Sequence, residues 1–226
     1  MKIAVLGTGM VGQTLAGKLA ELGHEVTVGT RDVAATMART EPDAMGSPPY
    51  AAWAAAHPLV SLATFAAAVT DAELIVNATS GGVSISVLEA VGAENLAGRV
   101  LLDVANPLDF SAGFPPTLSV KDTDSLAEQI QRAFPQLKVV KSLNTVAAPL
   151  MVDPRQLAGG DHSIFLSGND AGAKKMVAGL LESFGHTDFI DLGDITTARG
   201  AEMYLHIWLR LMGSLGTPIF NAKIVR

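Results

Sequence analysis

A doubly wound α/β fold with a mainly parallel sheet is what this sequence predicts, and three observations predict it. Short β-rich runs alternate with helical patterns through the first part of the chain. A glycine-rich turn, Gly7-Thr8-Gly9-Met10-Val11-Gly12, joins the first strand to the first helix. After a proline-containing loop, strand and helix patterns resume in a shorter second unit. The expected architecture is therefore Rossmann-type, with residues 1–145 as the nucleotide-binding domain. Residues 146–226 are expected to form a small C-terminal α/β extension packed on it, separate or continuous with it, and ending in a long apolar helix.

Each element has its own warrant. Residues 3–6, Ile-Ala-Val-Leu, are a short apolar run ended by Gly7 and read as a strand. A helix at 10–22 stops at Gly23. Residues 25–28 form the next strand, and Asp32 is placed to cap a helix at 32–39. The stretch 41–49 carries proline and glycine and breaks the pattern. A short helix at 51–56 ends at His57-Pro58. Residues 60–63 are a weak strand, 74–78 a strong one, and 85–91 are helical. Strands at 99–104 and 138–141 flank a helix at 125–134. The segment 144–161, with Pro149 and Pro154, reads as a loop. The extension then has a strand at 163–166, a helix at 171–184 capped within Gly168-Asn169-Asp170, and a strand at 189–192. Thr196 or Thr197 is expected to cap the last helix, which runs to about residue 213. It is apolar on almost every side (Ala201, Met203, Tyr204, Leu205, Ile207, Trp208, Leu209, Leu211, Met212), so burial is expected, within the chain or against a second copy.

Composition narrows the function. The 226 residues are 49% hydrophobic and 17% charged, which supports a sizeable core. A net charge of -6 argues against a general affinity for nucleic acid or anionic membrane. The absence of cysteine excludes disulfides, cysteine-bound zinc and a thiol nucleophile, and fits a reducing compartment. No signal-peptide pattern opens the chain, and no apolar run approaches the ~20 residues of a spanning helix. A soluble, cytoplasmic protein is expected. The five histidines show no metal-ligand spacing, and neither H-E-x-x-H nor G-x-S-x-G occurs, so no metal and no esterase elbow are expected. His206, inside the apolar helix, is the histidine that most merits inspection.

The glycine turn fits the physics of dinucleotide binding. Gly7 permits the tight strand-to-helix turn, Gly9 lets backbone approach a pyrophosphate, and Gly12 lets the helix pack on the strand. Thr8, Met10 and Val11 complete the loop that places phosphates at the positive, N–H-bearing helix end. The overlapping run Gly12-Gln13-Thr14-Leu15-Ala16-Gly17-Lys18 resembles a P-loop, but Leu19 stands where Ser or Thr must hold magnesium, and the run lies within the helix. The second strand separates the two nicotinamide dinucleotides. Where a site for NAD places an acid, this chain has Thr30, followed by Arg31. A threonine hydroxyl and an arginine fork suit a 2′-phosphate, so NADP is the expected cofactor. Asp32 reads as the helix cap instead of the missing acid.

Beyond these motifs, Gly29-Thr30-Arg31, Val76-Asn77-Ala78-Thr79, Asp103-Val104-Ala105-Asn106-Pro107 and Lys141-Ser142-Leu143-Asn144-Thr145 occur in an order that resembles the NADP oxidoreductases using the deazaflavin coenzyme F420. Ser167-Gly168-Asn169-Asp170, Asp191-Leu192-Gly193 and the closing helix are similar too, so the resemblance covers nearly the whole chain. A similar domain occurs in the cytosolic part of six-transmembrane metalloreductases. The resemblance implies a nicotinamide lying over the strand ends, beside Ala78, Thr79 and Ser80, with Asn106, Pro107, Asn144 and Thr145 nearby. Turns and caps are the plainer roles for those residue types. It also implies hydride exchange between NADP(H) and F420 or another small redox partner, with no catalytic side chain, since the cofactors carry the reactivity and the protein positions them. A homodimer is expected. Two departures bear on the second substrate: Asp32 where archaeal members often have a base, and an insert at 42–58 whose Tyr50 and Trp53 either form a flap or pack locally. A reductase of flavin, ferric chelate or a small carbonyl or imine, and a non-catalytic NADP-binding module, are the alternatives.

Overall fold

The computed structural model describes residues 1–42 and 46–226. Ten strands are present among them: β1 (Lys2–Leu6), β2 (Glu25–Thr30), β3 (Val60–Thr64), β4 (Leu74–Asn77), β5 (Val100–Asp103), β6 (Leu108–Asp109), β7 (Thr117–Leu118), β8 (Lys138–Lys141), β9 (Ser163–Gly168) and β10 (Asp188–Gly193). Eight form one sheet in the order β10-β9-β8-β5-β4-β1-β2-β3. The six from β3 to β8 run parallel. β9 is antiparallel to β8, and β10 is parallel to β9. The sheet is thus the doubly wound, mainly parallel one expected, and the extension's strands continue it. β6 and β7 form a separate antiparallel hairpin that no periodicity announces, being two residues each.

Helices cover both faces: α1 (Met10–Glu21), α2 (Val33–Ala38), α3 (Tyr50–Ala56), α4 (Phe65–Val69), α5 (Ser84–Val91), α6 (Ala93–Leu96), α7 (Leu126–Ala133), α8 (Ala148–Val152), α9 (Ala171–Phe184), α10 (Ala198–Met203) and α11 (Leu205–Leu215). Alternate residues of one strand enter different cores. Ile3 and Val5 join Leu15 and Leu19 of α1 and Val177 and Leu181 of α9. Ala4 and Leu6 join Leu88 of α5 and Ile130 of α7. Burial on both faces is why the central strands read as unbroken apolar runs. β3 is an edge strand and is only partly buried, which explains its weak pattern.

Several expectations are corrected. The 144–161 segment read as loop contains α8. The final helix is two, α10 and α11, meeting at Tyr204. α11 is not buried all round within the chain: Leu205 and Leu209 face inward, while His206 and Arg210 are exposed, Ile207 is 54% exposed and Leu215 56%. Neither Thr196 nor Thr197 caps it through its side chain; Asp194 accepts from the Thr196 N–H at 2.9 Å and starts that turn. Residues 43–45 of the 41–49 break lie outside the described residues. The rest of the insert settles the place of its aromatics. Tyr50 is fully buried in the core, and Trp53 stacks on His57 with ring centroids 4.2 Å apart, both rings against Gly17 on the side of α1. They pack locally and form no flap.

Candidate functional site

The C-terminal ends of β1, β2, β4, β5 and β8 share one edge of the sheet, because these strands are parallel. The order reverses beside β1, which leaves the crevice where doubly wound folds bind ligands. Gly7 leaves β1 with φ +120°, and a Cβ there would lie 2.5 Å from the Ala78 carbonyl oxygen. A Cβ on Gly12 would lie 2.1 Å from the Gly7 carbonyl oxygen. Only glycine lets this turn close on β4 and on α1. Gly9 is the N-cap of α1 and gives it no side-chain hydrogen bond. The first amides of this twelve-residue helix therefore face the crevice as donors, with the positive dipole end behind them. Thr8 and Val11, partly buried, and Met10, exposed, surround them. Gln13, which sequence reasoning passed over, is buried and donates to the Thr8 carbonyl at 2.9 Å, holding the loop.

At the end of β2, Thr30 and Arg31 diverge. Thr30 is buried and its hydroxyl pairs with that of Thr36 at 2.7 Å. Arg31 is exposed. Asp32 caps α2, accepting from the Ala35 N–H at 2.9 Å, so its carboxylate is turned toward the helix. The donor set of turn, helix end and arginine fits the phosphates of NADP.

Asn77, Asp103 and Lys141 end β4, β5 and β8 and are paired in register. The Lys141 ammonium lies 2.8 Å from Asp103 Oδ2 and 2.9 Å from Glu202 Oε1, and also donates to the Ala105 carbonyl. All three charged side chains are sealed from solvent, at 0%, 0% and 1% exposure. Burial pushes the Lys141 pKa down, but Asp103 and Glu202 outweigh it, and the ammonium titrates above the usual lysine value. Glu202 also accepts from Leu126 N at 2.8 Å and Ala127 N at 3.2 Å, the first amides of α7, whose dipole offsets the second carboxylate. Asn77 donates to Asp103 Oδ1 at 2.8 Å and to Ser84 Oγ at 3.0 Å. Its Oδ1 accepts from the Thr79 hydroxyl at 2.7 Å.

The structure brings Ala78, Thr79 and Ser80 to the crevice, with Thr79 half exposed and Ser80 exposed. Asn106 is half exposed and donates to the Asn144 carbonyl at 2.8 Å. Asn144, Thr145 and Pro107 are buried. The Asn144 amide donates to Asn106 Oδ1 at 3.0 Å and to the Ala201 carbonyl at 2.9 Å, tying this edge to α10. His206 is exposed on α11, and its side chain has no hydrogen bond among the described residues. The buried network of Asp103, Lys141 and Glu202 was missed as such. A polar residue closing each of three apolar strands was its available sign; Glu202, on a helix, had none.

Comparison with known proteins agrees with this geometry. The family of NADP oxidoreductases, coenzyme F420-dependent, matches residues 2–107. A proposed F420-dependent NADP-reductase from Arthrobacter sp. FB24 is 65% identical over 100% of both chains, with a TM-score of 0.95. No curated protein matches significantly. More distant structures share the fold alone. An imine reductase from Bacillus cereus is 20% identical, with a TM-score of 0.62 over 95% of this chain and 61% of its own. A reductive aminase from Aspergillus terreus, solved with NADPH, is 18% identical, with a TM-score of 0.63 over 94% and 62%. The 65% identity to the Arthrobacter protein over the full length of both chains, with a glycine turn at a helix N-terminus, an exposed Arg31 and a crevice on the strand ends, makes this chain a member of the F420-dependent NADP oxidoreductase family and an NADP-dependent oxidoreductase.

Proposed function

We propose that the protein transfers hydride between NADP(H) and a deazaflavin coenzyme of the F420 type. One observation carries the reading: phosphate turn, exposed Arg31 and the polar Thr79 loop lie in line along one sheet edge, across β2, β1 and β4. A dinucleotide has that extent and that order of groups. In this reading the α1 amides and Gly7–Gly12 hold the pyrophosphate, and Arg31 holds the 2′-phosphate. Ala78, Thr79, Ser80 and Asn106 shape the nicotinamide end, with Pro107, Asn144 and Thr145 supporting them from beneath. Bound NADPH supplies the hydride, and the deazaflavin supplies its acceptor. The protein orients the two rings and keeps water from between them, so no acid–base residue is assigned.

Residues 1–145 would carry the cofactor, with 146–226 as an extension completing the sheet. No described helix is long and apolar enough to cross a membrane. The working compartment in this reading is the cytoplasm, where both cofactors are dissolved, and the working form is a homodimer. The test is NADPH oxidation with F420, riboflavin phosphate, a ferric chelate and a cyclic imine offered in turn. Turnover confined to, or far fastest with, F420 is expected. Preference for another acceptor would reassign the substrate, and binding without turnover would make the chain an NADP module.

A further inference from the structure

Asp103 is surrounded by donors only: Lys141 Nζ, Asn77 Nδ2 and the Ala105 N–H at 3.2 Å. An ammonium can only donate, so the carboxylate beside it can only accept. Asn77 must therefore turn its NH2 toward Asp103 and its oxygen toward Thr79. The Thr79 hydroxyl has one proton, and Asn77 Oδ1 takes it at 2.7 Å. Ser84 Oγ lies 3.0 Å from the same oxygen and donates its own proton to the Ser80 carbonyl at 3.2 Å, so what Thr79, a partly exposed residue, can offer the crevice is lone pairs. Sequence-level reasoning would credit a threonine with either role; here a buried cation two residues removed decides it.

We propose that Lys141 is a positioning residue that, through Asp103 and Asn77, sets the Thr79 hydroxyl as an acceptor for the amide N–H of the nicotinamide carboxamide. This rests on the reading that places the nicotinamide over residues 78–80. The device costs the ligand nothing in reorganisation, because the polarity is fixed before binding. It also selects chemically: a ring bearing a carboxamide can donate to Thr79, and one bearing an acetyl group cannot. With asparagine at position 103, the side-chain oxygen would go to Lys141 and its NH2 would face Asn77. Asn77 would turn over and donate to Thr79, whose proton would then turn to Ser84 Oγ, 3.0 Å away, or to the crevice.

The experiment is a set of calorimetric titrations with NADP+, its 3-acetylpyridine analogue and adenosine 2′,5′-bisphosphate. The proteins are the wild type, Thr79→Val, Asp103→Asn and Lys141→Met, the last giving a second route should Asp103→Asn fold poorly. The wild type is expected to prefer the carboxamide about tenfold, the worth of one hydrogen bond. Thr79→Val, Asp103→Asn and Lys141→Met should each abolish that preference. Adenosine 2′,5′-bisphosphate, which lacks the nicotinamide, should bind all four alike and so reports an intact fold. A preference that survives in Asp103→Asn or Lys141→Met but is lost in Thr79→Val would overturn the relay while leaving the nicotinamide placement standing. A preference untouched by Thr79→Val, or absent from the wild type, would overturn the placement itself.

Discussion

Arg31 stands exposed at the end of β2 with no hydrogen bond or ion pair among the described residues. Its guanidinium is free to meet a dianionic phosphate as a fork. Thr30, by contrast, is buried against Thr36, and Asp32 is turned into its cap, so in the proposed reading the arginine is the residue on which cofactor choice depends. Arg31→Ala should weaken NADPH binding about ten- to a hundredfold, the loss of one charge-assisted contact. NADH binding and the melting temperature should stay near wild type. Equal losses for the two cofactors in paired titrations would contradict this role.

Among the elements, β9, β10 and α8 enclose a pair of buried histidines. His162 and His186 meet edge to face with centroids 6.0 Å apart. His186 Nε2 lies 2.9 Å from the Met151 carbonyl, and His162 Nδ1 takes a hydrogen bond from Asn221 at 2.8 Å. Burial, and to a lesser degree the charge His162 would carry, hold the His186 pKa below its usual value. A depressed histidine pKa means that the unfolded chain takes up the proton first as pH falls through about 6.5. The neutral ring's stabilisation is therefore complete above that pH and lost below it. The melting temperature should drop between pH 7.5 and 5.5, and His186→Phe should flatten that drop. A wild-type melting temperature constant over the range would rule out the linkage.

At the scale of the whole molecule, α11 and the tail leave apolar side chains uncovered: Ile207, Leu215, Ile219 at 37% and Val225 at 90%. The sequence expectation of a buried helix is unmet within one chain, and a two-fold contact between copies is the covering we propose. Sedimentation should give a dimer at micromolar concentration, and Ile207→Asp with Leu215→Asp should give a folded monomer. A wild type that sediments as a monomer would dismiss the idea.

What was legible in the sequence is what local chemistry dictates. The glycine turn, the Asp32 and Asp170 caps and the apolar runs of β1, β4, β5 and β8 depend on neighbours a few residues away, and each forms where expected. The doubly wound sheet followed from their alternation. Helices of five residues or fewer, such as α4, α6 and α8, carry too little periodicity to be read, and the two-residue strands β6 and β7 carry none. Tertiary structure alone decided that Tyr50 belongs to the core and not to a flap. It also decided that Lys141 finds Asp103 across a strand pair and Glu202 from a helix far along the chain. A lone lysine closing a strand reads as a solvated end. Only the fold shows that the ammonium is sealed from solvent, and an unpaired charge so sealed is costly enough that two carboxylates and a helix terminus must be brought to it.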